Sequence, residues 1–140
     1  MADSYGYRYG PRVLVNKPLD STTAAITAGD IMTTSNATAG YIKEADANSE
    51  LFAGVAVESS ASPSAAGDLS ILVDVSGLSV YEYPVDSGTL VAADAGLTCD
   101  IAAARTINYD LGTTDNVKIH KVDVDAQTVF VSFLTDYAGV

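Results

Sequence analysis

Any catalysis or metal binding by this chain would have to be built from one histidine, His120, one cysteine, Cys99, and an abundance of carboxylates. A nucleophilic serine needs a base within hydrogen-bond reach. His120 falls mid-strand between Lys118 and Lys121, a setting that reads as structural or surface, and no serine has an obvious histidine partner in the sequence. Gly-x-Ser-x-Gly, the phosphate-binding Gly-x-x-x-x-Gly-Lys-Ser/Thr loop and the dinucleotide Gly-x-Gly-x-x-Gly turn do not occur. Cys99 lies in Leu97-Thr98-Cys99-Asp100-Ile101. Its charged neighbour is an acid, the wrong sign for a reactive thiol, and a small buried strand residue is expected.

Asp123 and Asp125 are expected to project from one face of a strand and offer oxygen to a hard cation. Two carboxylates fall far short of the about six to eight oxygens that calcium takes, so an acidic solvent face is the better reading. No enzyme activity, metal or cofactor is expected. The chain has no tryptophan, which weakens a carbohydrate-stacking role, although eight tyrosines leave it open. Asn36-Ala37-Thr38 matches a glycosylation site, but the N-terminus lacks the apolar stretch of a secretion signal. No apolar run approaches the ~20 residues of a membrane span, so a soluble protein made in a cytoplasm is expected.

The 140 residues suit one domain, and 48% apolar content suits a packed core. Charge is distributed unevenly. Residues 1–20 carry Arg8, Arg12 and Lys17 against Asp3 and Asp20, a net +1, whereas the remaining four basic and sixteen acidic residues make −12. A body of that sign repels phosphate, which disfavours direct nucleic-acid binding.

The elements that must position these residues read as β. Residues 1–20 are expected to form an extended, irregular N-terminal arm in which Tyr5, Tyr7 and Tyr9 alternate with Gly6, Arg8 and Gly10, ahead of Pro11 and Pro18. Residues 21–140 form a single β domain. Residues 52–58, 69–75 and 78–83 have strand patterns, Pro84 ends its strand or confines it to an edge, and the small residues of 52–58 let a neighbouring backbone approach. A C-terminal hairpin joins residues 117–124 to 127–134, with a β-bulge at His120-Lys121 restoring the alternation and a turn at Asp125-Ala126. The last strand is apolar on both faces, which suits a central position or a subunit interface. Phe130 and Leu134, opposite Val129, Val131 and Phe133, are the interface candidates; they are expected to pack in a symmetric oligomer or against a second layer. Only residues 44–51 and 100–105 allow a turn or two of helix.

Ala28-Gly29-Asp30-Ile31, Phe52-Ala53-Gly54-Val55-Ala56-Val57, Gly67-Asp68-Leu69-Ser70-Ile71-Leu72-Val73 and Gly88-Thr89-Leu90-Val91 follow one another in an order that resembles the capsid decoration, or cement, proteins of tailed bacteriophages. The match spans about residues 24–95. It implies a compact β-barrel or β-tulip-like body, often trimeric, on the outer surface of the virion. There it would bind the major capsid protein and stabilise the shell without enzymatic activity. In that role Tyr5, Tyr7, Arg8, Tyr9 and Arg12 would form a shell-binding arm, the alternative being a disordered terminus. Removal of residues 2–12 is then expected to leave the body folded and to weaken attachment. A β-module of a fibre or adhesin that binds a host surface or glycan is the competing reading.

Overall fold

The computed structural model describes residues 6–21, 23–35, 39–46, 51–109 and 116–134, and within them the chain is all-β, with one 3-10 turn at Ala92–Asp94. The strands are β1 (Gly6–Tyr9), β2 (Leu14–Pro18), β3 (Ile31–Thr34), β4 (Ile42–Glu44), β5 (Phe52–Ala56), β6 (Ser70–Asp74), β7 (Val80–Pro84), β8 (Thr98–Ala103), β9 (Thr106–Asn108), β10 (Val117–Asp123) and β11 (Thr128–Phe133). They form two antiparallel sheets, β1-β7-β11-β10-β8-β9 and β2-β6-β5-β3-β4. Neither is closed into a barrel by a strand ladder. Each nonetheless curls: Leu19, one residue past β2, bridges Ile42 of the opposite edge strand β4, and Val85, one residue past β7, bridges Ile107 of β9.

Two apolar cores result. In the first, Tyr81, Tyr83, Ile101, Val129, Val131 and Phe133 of the six-stranded sheet meet Ile31, Phe52 and Val55 of the other, and the Phe52 and Phe133 rings stack 4.4 Å apart across the seam. The second fills the curl of the five-stranded sheet with Leu19, Met32, Ile42, Ala53, Ala56, Ile71 and Val73. β3 and β5 therefore have a core on each face, Ile31 serving one and Met32 the other, and every residue of β5 is buried. Gly54 makes this close packing feasible. Its φ is +146°, and a Cβ there would lie 2.8 Å from Cβ of Val73. Only glycine tolerates both conditions, so the close backbone approach expected for residues 52–58 is present.

The C-terminal hairpin has its bulge between Ile119 and Lys121 and its turn at residues 124–127. β11 lies between β7 and β10, so the two-sided apolar strand is central. Pro84 is the last residue of β7, itself an interior strand, so the proline terminates it. Cys99 is fully buried in β8.

Three expectations are corrected. Residues 6–9 and 14–18 are not an irregular arm but edge strands, β1 on β7 and β2 on β6. The glycines and prolines read as breakers sit at strand limits, where a positive φ at Gly10 and the missing N–H of Pro18 on an edge strand are tolerated. Residues 100–103 are strand, because Ile101 pairs with Ile107 and fills the first core. Tertiary burial there overrides local helix preference. Asp125 lies in the hairpin turn and not on the strand with Asp123, so the two acids do not form the expected pair on one strand face. Of the other helix candidate, Glu44 ends β4, and residues 47–50 lie outside the described residues.

Gly54→Ala should lower the urea midpoint by an amount equivalent to about 2 kcal/mol or more, from overpacking plus backbone strain; an unchanged midpoint would disprove the close approach. Removing residues 2–12 strips β1 from the sheet and is expected to lower the thermal midpoint rather than leave the body intact. Differential scanning calorimetry of the truncated chain checks this.

Candidate functional site

β6 ends at Asp74, and β7, beginning six residues later, carries Tyr81 back beside it. Asp74 is 1% exposed. A carboxylate buried to that degree must be hydrogen-bonded, since an unpartnered buried charge costs several kcal/mol. Its Oδ2 accepts from the Tyr81 hydroxyl at 2.5 Å, and its Oδ1 accepts from the N–H groups of Val13 (3.1 Å) and Ser76 (3.0 Å). Burial, and then the neighbouring carboxylate, push the Tyr81 phenol well above the usual tyrosine range, so it remains a donor.

The Val13 contact matters because residues 10–13 carry the chain from the six-stranded sheet to the five-stranded one. Further bonds hold this crossing: Ser79 Oγ donates to the Pro11 carbonyl (2.7 Å), the Val75 N–H to the Val13 carbonyl (2.8 Å), and the Tyr7 hydroxyl to the Gly10 carbonyl (2.7 Å). Arg12 lies with its guanidinium carbon 3.8 Å from the Tyr7 ring centre, and Tyr7 meets Tyr81 edge-on at 5.7 Å. Beside Arg12 opens a cleft of about 170 Å³, lined by Tyr7, Tyr81 and the small residues Gly6, Ala28 and Gly29 among others.

The sequence-predicted residues divide clearly. Tyr5 lies outside the described residues. Tyr7 and Arg12 are brought together at the cleft, while Arg8 is committed to Glu82 of β7 (Nε–Oε1 2.9 Å), whose other oxygen accepts from Thr128 Oγ1. Tyr9 remains 54% exposed. It is joined by Val13, Leu14 and Leu78, at 50%, 47% and 70%, on the two segments that the crossing bonds hold together. Leu78 carried no positional signal for this in the sequence. Phe130 is half-buried, with the Lys121 amine 5.1 Å from its ring centre, and Leu134 lies just beyond β11, exposed. They are not brought together with the cleft or the exposed crossing residues.

A second carboxylate cluster joins the sheets elsewhere. Asp30, in the Gly-Asp turn, accepts from the Thr27 N–H (2.9 Å) and from Arg105 Nε (2.8 Å), and Tyr83 donates to the Gly29 carbonyl (2.6 Å). An aspartate directly after a turn glycine is suited to the first of these bonds; nothing in the sequence points to Arg105. The serine expectation also changes, because the fold sets His120 Nε2 2.7 Å from Ser132 Oγ. Ser132 is buried on a central strand, and the bond ties the bulge to β11. Among the described residues no group of three or more histidine, cysteine or acidic side chains is placed to hold a metal. No family model, curated protein or solved structure matches the chain.

Glu44 offers a pH test. Desolvation, and next the Asp30 carboxylate, raise its pKa, so the folded state holds this proton more tightly than the unfolded chain. The associated stability is fully present below the unfolded value of about 4.3 and is lost as pH rises through the folded one. Glu44→Gln should therefore be slightly more stable than the parent at pH 7, and this advantage should vanish near pH 3.5, as read from paired urea titrations. The effect is small because solvent screens this partly exposed group.

Proposed function

We propose that this protein is a structural, non-enzymatic module that decorates the outer surface of a bacteriophage capsid by binding the major capsid protein, with a trimer as the favoured assembly. The observation that supports this best is the exposed group Tyr9, Val13, Leu14 and Leu78 at the sheet-to-sheet crossing. Aromatic and aliphatic side chains held on a rigid, hydrogen-bonded frame are what a protein-binding hot spot requires. They lie in or beside residues 1–20, which carry a net +1 against −12 for the remainder, so their surroundings differ electrostatically from most of the chain.

The β-tulip-like body implied by the resemblance is consistent with two curled sheets whose far strands meet at single bridges. The His120–Ser132 pair has Ser132 buried within a paired strand, a setting that suits a structural hydrogen bond. The contact surface in this reading is part of the folded body and not a free arm, since β1 is a strand of the sheet and Arg8 and Tyr7 make contacts within the chain.

The test is co-sedimentation with purified phage heads. Tyr9→Ala combined with Leu78→Ala should leave the thermal midpoint nearly unchanged, both side chains being exposed, and weaken binding about tenfold or more. Undiminished occupancy by the double variant would move the contact elsewhere, and binding to host cells or glycans in place of heads would favour the adhesin reading.

A further inference from the structure

The three arginines among the described residues are not equally satisfied. Arg8 and Arg105 place Nε 2.9 and 2.8 Å from their carboxylates, and Arg105 also donates to the Ala28 carbonyl. Arg12 differs: its Nε stands 3.7 Å from Asp74 Oδ2. That exceeds the ~2.7–2.9 Å of a charge-assisted hydrogen bond. The cause lies in Asp74, whose two oxygens already accept from Tyr81, Val13 and Ser76. The carboxylate is served by neutral donors, and the guanidinium, which also faces the Tyr81 hydroxyl, keeps donors of its five-donor fork for another acceptor. Stacking on Tyr7 at 3.8 Å orients that fork in advance, which lowers the entropic cost of using it.

Arg12 lines the cleft of about 170 Å³ together with Tyr7, Tyr81 and small residues that include Gly6, Ala28 and Gly29. At ~30 Å³ per water the space holds about five waters, or the end of one side chain. We propose that this cleft receives a single carboxylate side chain, aspartate or glutamate, projecting from a partner protein, which Arg12 engages with its fork. A planar monoanion matches the guanidinium. A more highly charged phosphate is disfavoured by the Asp74 carboxylate behind Arg12 and by the net charge of −11. The proposal rests on the docking reading only in taking the carboxylate to be part of a protein.

The experiment uses the full chain and a capped tripeptide, acetyl-Gly-Glu-Gly-amide, with its glutamine counterpart as control, followed by NMR shifts of the Tyr7 and Gly29 amides. The glutamate peptide should bind saturably and at least tenfold more tightly than the glutamine peptide. Arg12→Lys, which keeps the charge but not the fork, should weaken it about fivefold. Ala28→Leu fills the cleft from an exposed position outside the Asp74 network and should abolish binding. Equal binding of the two peptides, binding of neither, or full binding by Ala28→Leu would overturn the proposal. Co-sedimentation with heads separates the two ideas. Head binding without glutamate preference sinks the cleft and leaves the docking reading standing, whereas glutamate preference without head binding does the reverse.

Discussion

A carboxylate buried inside an apolar protein must find hydrogen-bond donors, and the way Asp74 finds them governs much of this structure. One of its oxygens accepts from the Tyr81 hydroxyl and the other from two backbone N–H groups, one of them on Val13. The Val13 bond fixes where the N-terminal segment passes from one sheet to the other. Arg12 then lies over the Tyr7 ring, which meets Tyr81 edge-on, and the loop carrying Leu78 is held against Gly10 and Pro11. The cleft and the exposed apolar group both lie along this crossing. They follow from satisfying one buried charge.

The same economy is visible in β3 and β5. A strand with a core on each face cannot spend alternate residues on solvent, so β5 reads Phe-Ala-Gly-Val-Ala, with Phe52 and Val55 on the seam and Ala53 and Ala56 in the curl. Small residues on one face let the five-stranded sheet close around its own core, while large ones on the other bind it to its neighbour. Three contacts in a short stretch then lock the sheets together: Asp30 with Arg105, Gly29 with Tyr83, and the Ile31 N–H with the Ala104 carbonyl. In the decoration role proposed above, load passing between the sheets would meet hydrogen bonds and packed rings at this joint.

In the proposed docking role, an acidic body with a small, partly apolar crossing would be specific in where it attaches. Like-charged copies repel over most of their surface, which opposes random association. In that proposal, a partner that offers an apolar patch beside a carboxylate matches both the exposed apolar group and Arg12 at the crossing. Specificity of this kind rests on a few anchored side chains and not on large contact area.

The strand patterns, the bulge at His120, the hairpin turn and the burial of Cys99 were legible in the sequence, because each depends on residues close together along the chain, whereas whether Pro84 ends its strand or confines it to an edge was decided by the position of β7 in the sheet. The role of the first twenty residues was not. Glycine and proline there have the same local signature in a loose arm as at the ends of edge strands, and only the free edges of β7 and β6, more than fifty residues away, decide between them. Asp74 and Arg105 carried no signal either, since a single acid or base in a strand pattern reveals nothing of a partner distant in sequence. The pairing of Arg12 with Tyr7, and the looseness of its contact with Asp74, likewise arose only when two sheets were brought together. Periodicity determines which face of an element is buried; which faces meet, and which charges are left with donors to spare, is settled by long-range packing, and that is where the features most relevant to function reside.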